Sequence, residues 1–443
     1  MKKVSTAAAV AIAMLLGACS SHSSTLTPTT ASGPGGRTGA TSVTPTEIHI
    51  AVVADINTAL APGLFQGSVD AVKGFADWIN KQGGLAGRQV KVDSFDSKLN
   101  PDETKNALIQ ACQNDFALVG TTALFENNVD PIVQCKDAKG NATGMPEIPE
   151  LTTDPAQQQS PVSFPINPPA RDWSSPTFVA HLGIGPYRYY QQHITPDLHA
   201  TWIYAGALKS TKTSEVYQTA ALEQAGVVKL DQTFDLIGVE PQSAYDPVIN
   251  AIKSHNSTLV TDGLDVTSDI KLRKEANVQG VTSVKVWDCV FTCYDRNFIT
   301  LGGSDVEGEY VSSGIVPFEE ADASKGVQEY LDAVGGISKA SGFGSGAFLA
   351  ALFFRDVINS LVAASGNNGL TRAAFLAAAK NQHSFTGDSM TAPIDMGARR
   401  GSGCFMLMQV QHGQFVRVYP AEKGKFDCSA ANAVTLTTPP PGT

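Results

Sequence analysis

From Glu47 onward the chain alternates short β-rich runs with amphipathic helical stretches, and this alternation restricts the fold more than any single motif. Residues 48–53 form a β-rich run. Residues 68–81 carry Val69, Val72, Phe75, Ala76 and Ile79 at helical spacing, and Gly83-Gly84 ends the pattern. Residues 90–95 alternate as a strand, 101–114 read as a helix with Asp102 and Glu103 in its first turn, and 116–119 read as a buried strand. The scheme then repeats. Helices are expected over 175–182, 214–225, 245–256 and 268–277, and strands over 200–204, 227–234, 257–261 and 283–287. Strands alternating with helices give parallel sheets covered on both faces, with ligands at the carboxyl ends of the strands. The 397 residues from Glu47 exceed one ordinary core, so the expected class is α/β with two doubly wound lobes.

The stretch before this body has a different chemistry. Met1-Lys2-Lys3 precedes an unbroken apolar run over 7–16, which is the build of a signal peptide and too short to span a bilayer. Leu16-Gly17-Ala18-Cys19 follows as a lipobox, so residues 1–18 are expected to be removed and Cys19 to carry a lipid. In residues 20–46, Ser, Thr, Gly and Pro supply 21 of 27 positions, so 19–46 reads as a tether with a reach of about 30 Å. These features place the protein outside the cytoplasm and on a membrane. Once Lys2 and Lys3 leave with the signal, 30 basic residues face 42 acidic ones, a formal charge of −12 that argues against nucleic acid as a partner. The longest later apolar run, 347–354, ends at Arg355-Asp356 and reads as a buried helix.

With Cys19 assigned to lipid, six cysteines remain in a compartment where disulfides persist. Six allow 15 pairings, and spacing favours the local set Cys112–Cys135, Cys289–Cys293 and Cys404–Cys428. Cys289 and Cys293 can instead be read as half a metal site, but no Cys or His lies close in sequence to complete one. The histidines show no ligand spacing either, so no metal or cofactor is expected. Gly342-Phe-Gly-Ser-Gly346 lacks the Lys-Ser/Thr of a phosphate loop, and its central residue is Gly344 rather than the serine of an esterase elbow. Of Asp262 and Asp265, one is expected to cap a helix and the other to face solvent or ligand. No nucleophile, base or metal constellation points to an enzyme.

Several strings then add up in order. They are Ile50-Ala-Val-Val53, Ile79-Asn-Lys-Gln-Gly-Gly84 with Gly87, Asn100-Pro101 and Leu118-Val-Gly120. Later come Leu301-Gly-Gly303, Glu307-Gly-Glu-Tyr-Val311 and Gln411-His-Gly-Gln-Phe415. In this order the chain resembles the type I periplasmic binding proteins, in their branched-chain amino acid branch, over about residues 47–420. The resemblance implies two lobes joined by three crossover strands, closing on a solute by hinge motion and delivering it to the permease subunits of an ABC importer. It implies an N-terminal lobe of 47–170 with about 317–395, a C-terminal lobe of 171–316 with about 396–430, and a flexible tail over 431–443. A lipid-anchored sensor using the same cleft is the alternative role.

The resemblance also implies the pocket. The loop after Gly120 supplies Thr121 and Thr122, with Phe125 where the family carries a serine. The next loop supplies Thr152 and Thr153. In the second lobe the family's ammonium-binding glutamate falls near Val290, with Asp288 able to stand in for it, and a tyrosine falls near Leu264, beside Asp265. Leu64 or Phe65 takes an aromatic's place, and Phe343 opens a helix near the cleft. Losing a hydroxyl at Phe125 removes a donor and adds apolar surface. The expected solute is therefore more apolar than a small α-amino acid, with one polar end, although an amino acid stays the alternative. Two stretches depart from the family pattern as lengthened loops, 137–149 and 162–173.

Overall fold

Asn100 shows how local chemistry sets the edge of an element. Its side-chain oxygen accepts from the backbone N–H groups of Asp102 and Glu103, at 2.8 and 3.1 Å, and Pro101 follows in the first helical position. That capping chemistry starts a helix over Pro101–Asn114, the bounds read from the sequence. The computed structural model describes residues 42–58, 62–137, 139–206, 209–238 and 240–443. The signal segment and Cys19 lie outside the described residues. The end of the expected tether does not behave as one: Ser42 is buried, its carbonyl accepts from His49 N at 2.8 Å, and Val43 bridges Ile48.

Along the chain the first elements are β1 (Glu47–Ala54), α1 (Gln66–Lys81), β2 (Gln89–Asp96), α2 (Pro101–Asn114), β3 (Ala117–Val119), α3 (Asp130–Val133) and β4 (Glu147–Ile148). Next are α4 (Pro155–Gln159), β5 (Ala180–Gly183), α5 (Gly185–His193), β6 (His199–Ala205), α6 (Lys209–Gln224) and β7 (Lys229–Leu236). Then come α7 (Asp246–His255), β8 (Leu259–Asp262), α8 (Val266–Val278), β9 (Val286–Cys289), α9 (Arg296–Gly302) and β10 (Tyr310–Ser313). The last are α10 (Lys325–Val334), α11 (Gly342–Ser365), α12 (Arg372–Ala379), β11 (Met406–Gln411), β12 (Gln414–Tyr419) and β13 (Ala433–Leu436).

Two main sheets result. The first has the order β2-β1-β3-β4 and is parallel throughout. The second has the order β12-β11-β10-β9-β8-β6-β7, parallel except at β10–β11–β12. The chain passes between the sheets three times: after β4, after β10 and before β11. This is the expected α/β class with two lobes. β11 and β12 form a hairpin whose two turn residues, His412 and Gly413, both take positive φ, as a tight right-twisted hairpin needs.

The largest apolar cluster starts in the first sheet, takes in most of α11, and reaches Val311, Met406 and Met408 of the second. α11 is long and apolar enough to cross a membrane, but 67% of its most apolar window is buried inside the fold, where it packs on α1. It is the buried helix expected around 347–354.

Three local expectations need correction. Residues 175–182 do not form a helix; they run into β5, and the helix begins only at Gly185-Pro186. Residues 431–443 are not simply a tail, because β13 pairs antiparallel with β5 and buries Leu436. The lengthened loop over 137–149 contains β4.

Candidate functional site

Strand order locates the crevice. In the first sheet the chain moves from β1 outward to β2, then returns to the other side of β1 for β3. In the second it moves from β6 to β7, then returns beside β6 for β8. Ligand sites of doubly wound sheets lie at such reversals, outside the carboxyl ends of the strands. The loops concerned follow β1, β3 and β4 on one side and β6, β8 and β9 on the other.

The first-lobe loops are tied together by Asp55, at the end of β1. Its carboxylate accepts from Ser97 Oγ at 2.7 Å, Leu99 N at 2.6 Å and Leu124 N at 2.8 Å. Thr153 donates to the Leu124 carbonyl at 2.8 Å, joining the loops after β3 and β4. Its hydroxyl is therefore engaged. Thr121 is buried within the lobe. Thr122 is buried with an unpartnered hydroxyl, and Thr152 is half-buried. Phe125 and Leu64 are half-buried on the same loops.

An aromatic seam closes the innermost part of this region. Phe65 and Phe343 meet edge to face, centroids 4.8 Å apart. Gly342, the first residue of α11, lies so close to the loop after β9 that a Cβ there would sit 3.0 Å from the Tyr294 carbonyl and 3.3 Å from the Phe291 ring. Tyr294 donates its hydroxyl to Glu319 at 2.6 Å and accepts from Phe318 N at 2.7 Å, which anchors that loop to the second crossover. Phe291 and Tyr294 were not legible in the sequence as contact residues.

The second-lobe expectations need the larger corrections. Asp288 does not face a solute. It lies on the β9 face covered by α5, and it accepts from Tyr190 Oη at 2.7 Å, Thr261 Oγ1 at 2.9 Å and Tyr187 Oη at 3.1 Å. Burial pushes its carboxyl above the ordinary range, and the three hydroxyls pull it back. Leu264 is a core side chain, 2% exposed. Asp265 caps α8, accepting from Thr267 N at 2.9 Å. Asp262 is the partner expected toward solvent or ligand, yet it is buried and shares a hydrogen bond with Asp269; burial first, then its neighbour's charge, raises it well above the carboxylate range. Val290 stays half-buried at the head of the Phe291 loop.

Disulfides join Cys112 to Cys135, Cys289 to Cys293 and Cys404 to Cys428, the local pairing. Both sulfurs of the 289–293 segment are thereby taken up, which removes the half metal site. A depression of about 520 Å³ lies over Cys112–Cys135, lined by Lys105, Asn128, Asp130 and Lys136. Of its lining residues only Asn128 lies on a crevice loop, at the far end of the loop after β3 next to α3.

Sequence reasoning also missed a set of buried acids behind the first-lobe loops. Gln157 donates to Glu126 at 2.9 Å and to Glu147 at 3.1 Å, and these two carboxyls share a hydrogen bond. Glu150, at the start of the first crossover, is 1% exposed. Burial alone pushes its carboxyl up to about 8. The one available signal was a pair of acids, Glu147 and Glu150, set in the otherwise apolar stretch Met145-Pro-Glu-Ile-Pro-Glu-Leu151.

A family model described as periplasmic binding protein matches residues 47–414. No curated protein matches the chain. Among solved structures, the chain is similar to a fatty acid ABC transporter substrate-binding protein from Thermomonospora curvata, with TM-score 0.66 and 14% identity over 90% of this chain and 96% of that one. It is also similar to a leucine binding protein from Thermotoga maritima, with TM-score 0.64 and 14% identity over 84% and 97% of the two chains. A third is a branched-chain amino acid transporter substrate binding protein from Streptococcus pneumoniae in complex with isoleucine, with TM-score 0.60 and 14% identity over 84% and 100%.

Proposed function

The chain belongs to the periplasmic binding protein family, and from that premise we propose that it is the solute receptor of an ABC importer, binding a small, partly apolar molecule between its lobes. The observation that carries the apolar character is the aromatic seam, with Phe65 against Phe343 and Phe291 against Gly342. The solved relatives are named for fatty acids, leucine and isoleucine, so apolar solutes run through this fold. In this chain the groups that would fix an α-amino acid are reduced. Phe125 stands near a hydroxyl position, and Asp288 is held by three hydroxyls within its own lobe.

The same reading gives Cys19 a role. A lipid there, followed by a Ser/Thr/Gly/Pro-rich stretch, keeps a receptor close to its permease. Mass spectrometry of the mature protein should find an acylated Cys19 at the N-terminus, and a different first residue would remove the anchor from the account. For the solute, a thermal-shift screen over amino acids, aliphatic acids, amides and amines is the direct test. A true solute raises the melting temperature by mass action. Tight leucine or valine binding would replace the apolar-solute reading with the amino acid one.

A further inference from the structure

Gly342 and Gly346 stand one turn apart on the same face of α11, and each makes room for a different lobe. Gly342 admits Phe291 and Tyr294 from the second lobe. Gly346 admits Glu150 from the first: a Cβ there would lie 2.5 Å from both Cγ and Oε1 of Glu150. About 6 Å of helix therefore separates a second-lobe aromatic from a buried first-lobe carboxyl. Glu150 Oε1 accepts from Asn167 Nδ2 at 3.3 Å, while Oε2 is buried with no partner. A buried carboxyl left short of donors is an expensive arrangement unless something answers it.

The charges around the crevice point the same way. The segments 55–65, 120–126, 149–155, 262–266, 289–295 and 342–346 hold seven carboxyl residues and no Lys, Arg or His. At the second switch point, the nearest base after β6 is Lys209, which is exposed at the start of α6. Within these segments a solute carboxylate meets no cation; Asp55, Glu126, Asp154, Asp262, Asp265 and Asp295 are engaged inside the fold, whereas Glu150 keeps a buried oxygen without a partner.

We propose that Glu150 recognises the charged end of the solute, and that the solute is an apolar amine whose body lies on Phe65, Phe343 and Phe291. The inference rests on the solute-binding reading above. The groups against the Glu150 carboxyl are Asn167 from the first crossover and Gly346 from α11, and neither titrates. Below about 8 the free carboxyl holds its proton. Pairing with an ammonium requires the carboxylate, so binding releases that proton. Affinity should rise roughly tenfold per pH unit up to that point and then level off.

The test is calorimetric titration of the purified protein at about pH 6.5, in two buffers of different ionisation enthalpy. The probes are 2-phenylethylamine and n-hexylamine, each with its matched carboxylate and alcohol. The expected result is binding of an amine, weaker or no binding of its carboxylate, and release of about one proton per event. Glu150→Gln should weaken the amine about tenfold or more and abolish the proton release. The proton release in the unaltered protein stands as evidence even if the variant folds poorly. A carboxylate binding as tightly as its amine overturns the inference and leaves solute binding intact. So does amine binding with no proton released, or binding unchanged by Glu150→Gln. Silence of every amine, carboxylate and alcohol would overturn the apolar-solute reading as well.

Discussion

Arg417 grips Glu320 through two bonds of 2.6 Å, Nε to one carboxylate oxygen and Nη2 to the other. Arg417 lies on β12 of the second sheet, and Glu320 lies just past the second crossover. Both side chains are buried, and the Gly424 N–H completes the carboxylate at 3.0 Å. Removing one partner leaves an uncompensated buried charge. Arg417→Met should therefore lower stability by about 3–5 kcal/mol in urea unfolding, and the double variant with Glu320→Met should recover much of that loss. Equal destabilisation by the single and double variants would show that packing, not charge, holds this joint.

Gly346 is a second test of close approach. Gly346→Ala places a methyl 2.5 Å from Glu150, against a side chain fixed by Asn167. The expected loss is about 1–3 kcal/mol, read from thermal or urea melts. A neutral substitution would mean that Glu150 has room to swing away.

Glu150 gives stability a pH dependence of known sign. Its carboxyl is raised from 4.5 to about 8, so the folded chain holds this proton more tightly than the unfolded chain. The resulting stabilisation is whole below about 4.5, falls as pH rises, and is gone above about 8. Glu150→Gln removes this titration. Relative to the unaltered protein, the variant should gain about 1.4 kcal/mol per pH unit, or about 4 kcal/mol between pH 5 and 8. Parallel stability curves for the two proteins would contradict the burial argument.

Asp288 separates a structural carboxyl from a binding one. Asp288→Asn replaces an acceptor of three hydroxyl bonds by an amide that must itself donate. Stability should fall by about 1–3 kcal/mol while solute affinity stays unchanged. A variant of normal stability that binds solute poorly would return Asp288 to the cleft.

The fold was largely legible because its signals are local. Asn100-Pro101 with Asp102 and Glu103 marks a helix start that needs no tertiary information. The failures are nonlocal. β5 exists because β13 reaches back to it from about 250 residues away, and no pattern within 175–183 reports that. The site was less legible, for a reason specific to strands. A shift of one residue turns a side chain to the other face of a sheet. Asp288 thus sits near the expected position but among Tyr187, Tyr190 and Thr261. Glu150 went unseen because its significance lies in its burial against Gly346, across nearly 200 residues of chain.

Hydrogen exchange with and without the most stabilising compound of the thermal-shift screen tests the central claim most directly. The account predicts slowed exchange over 120–126, 149–155 and 289–295 together, because one solute must touch loops of both lobes. Protection confined to one lobe, or centred on the Cys112–Cys135 depression, would contradict it.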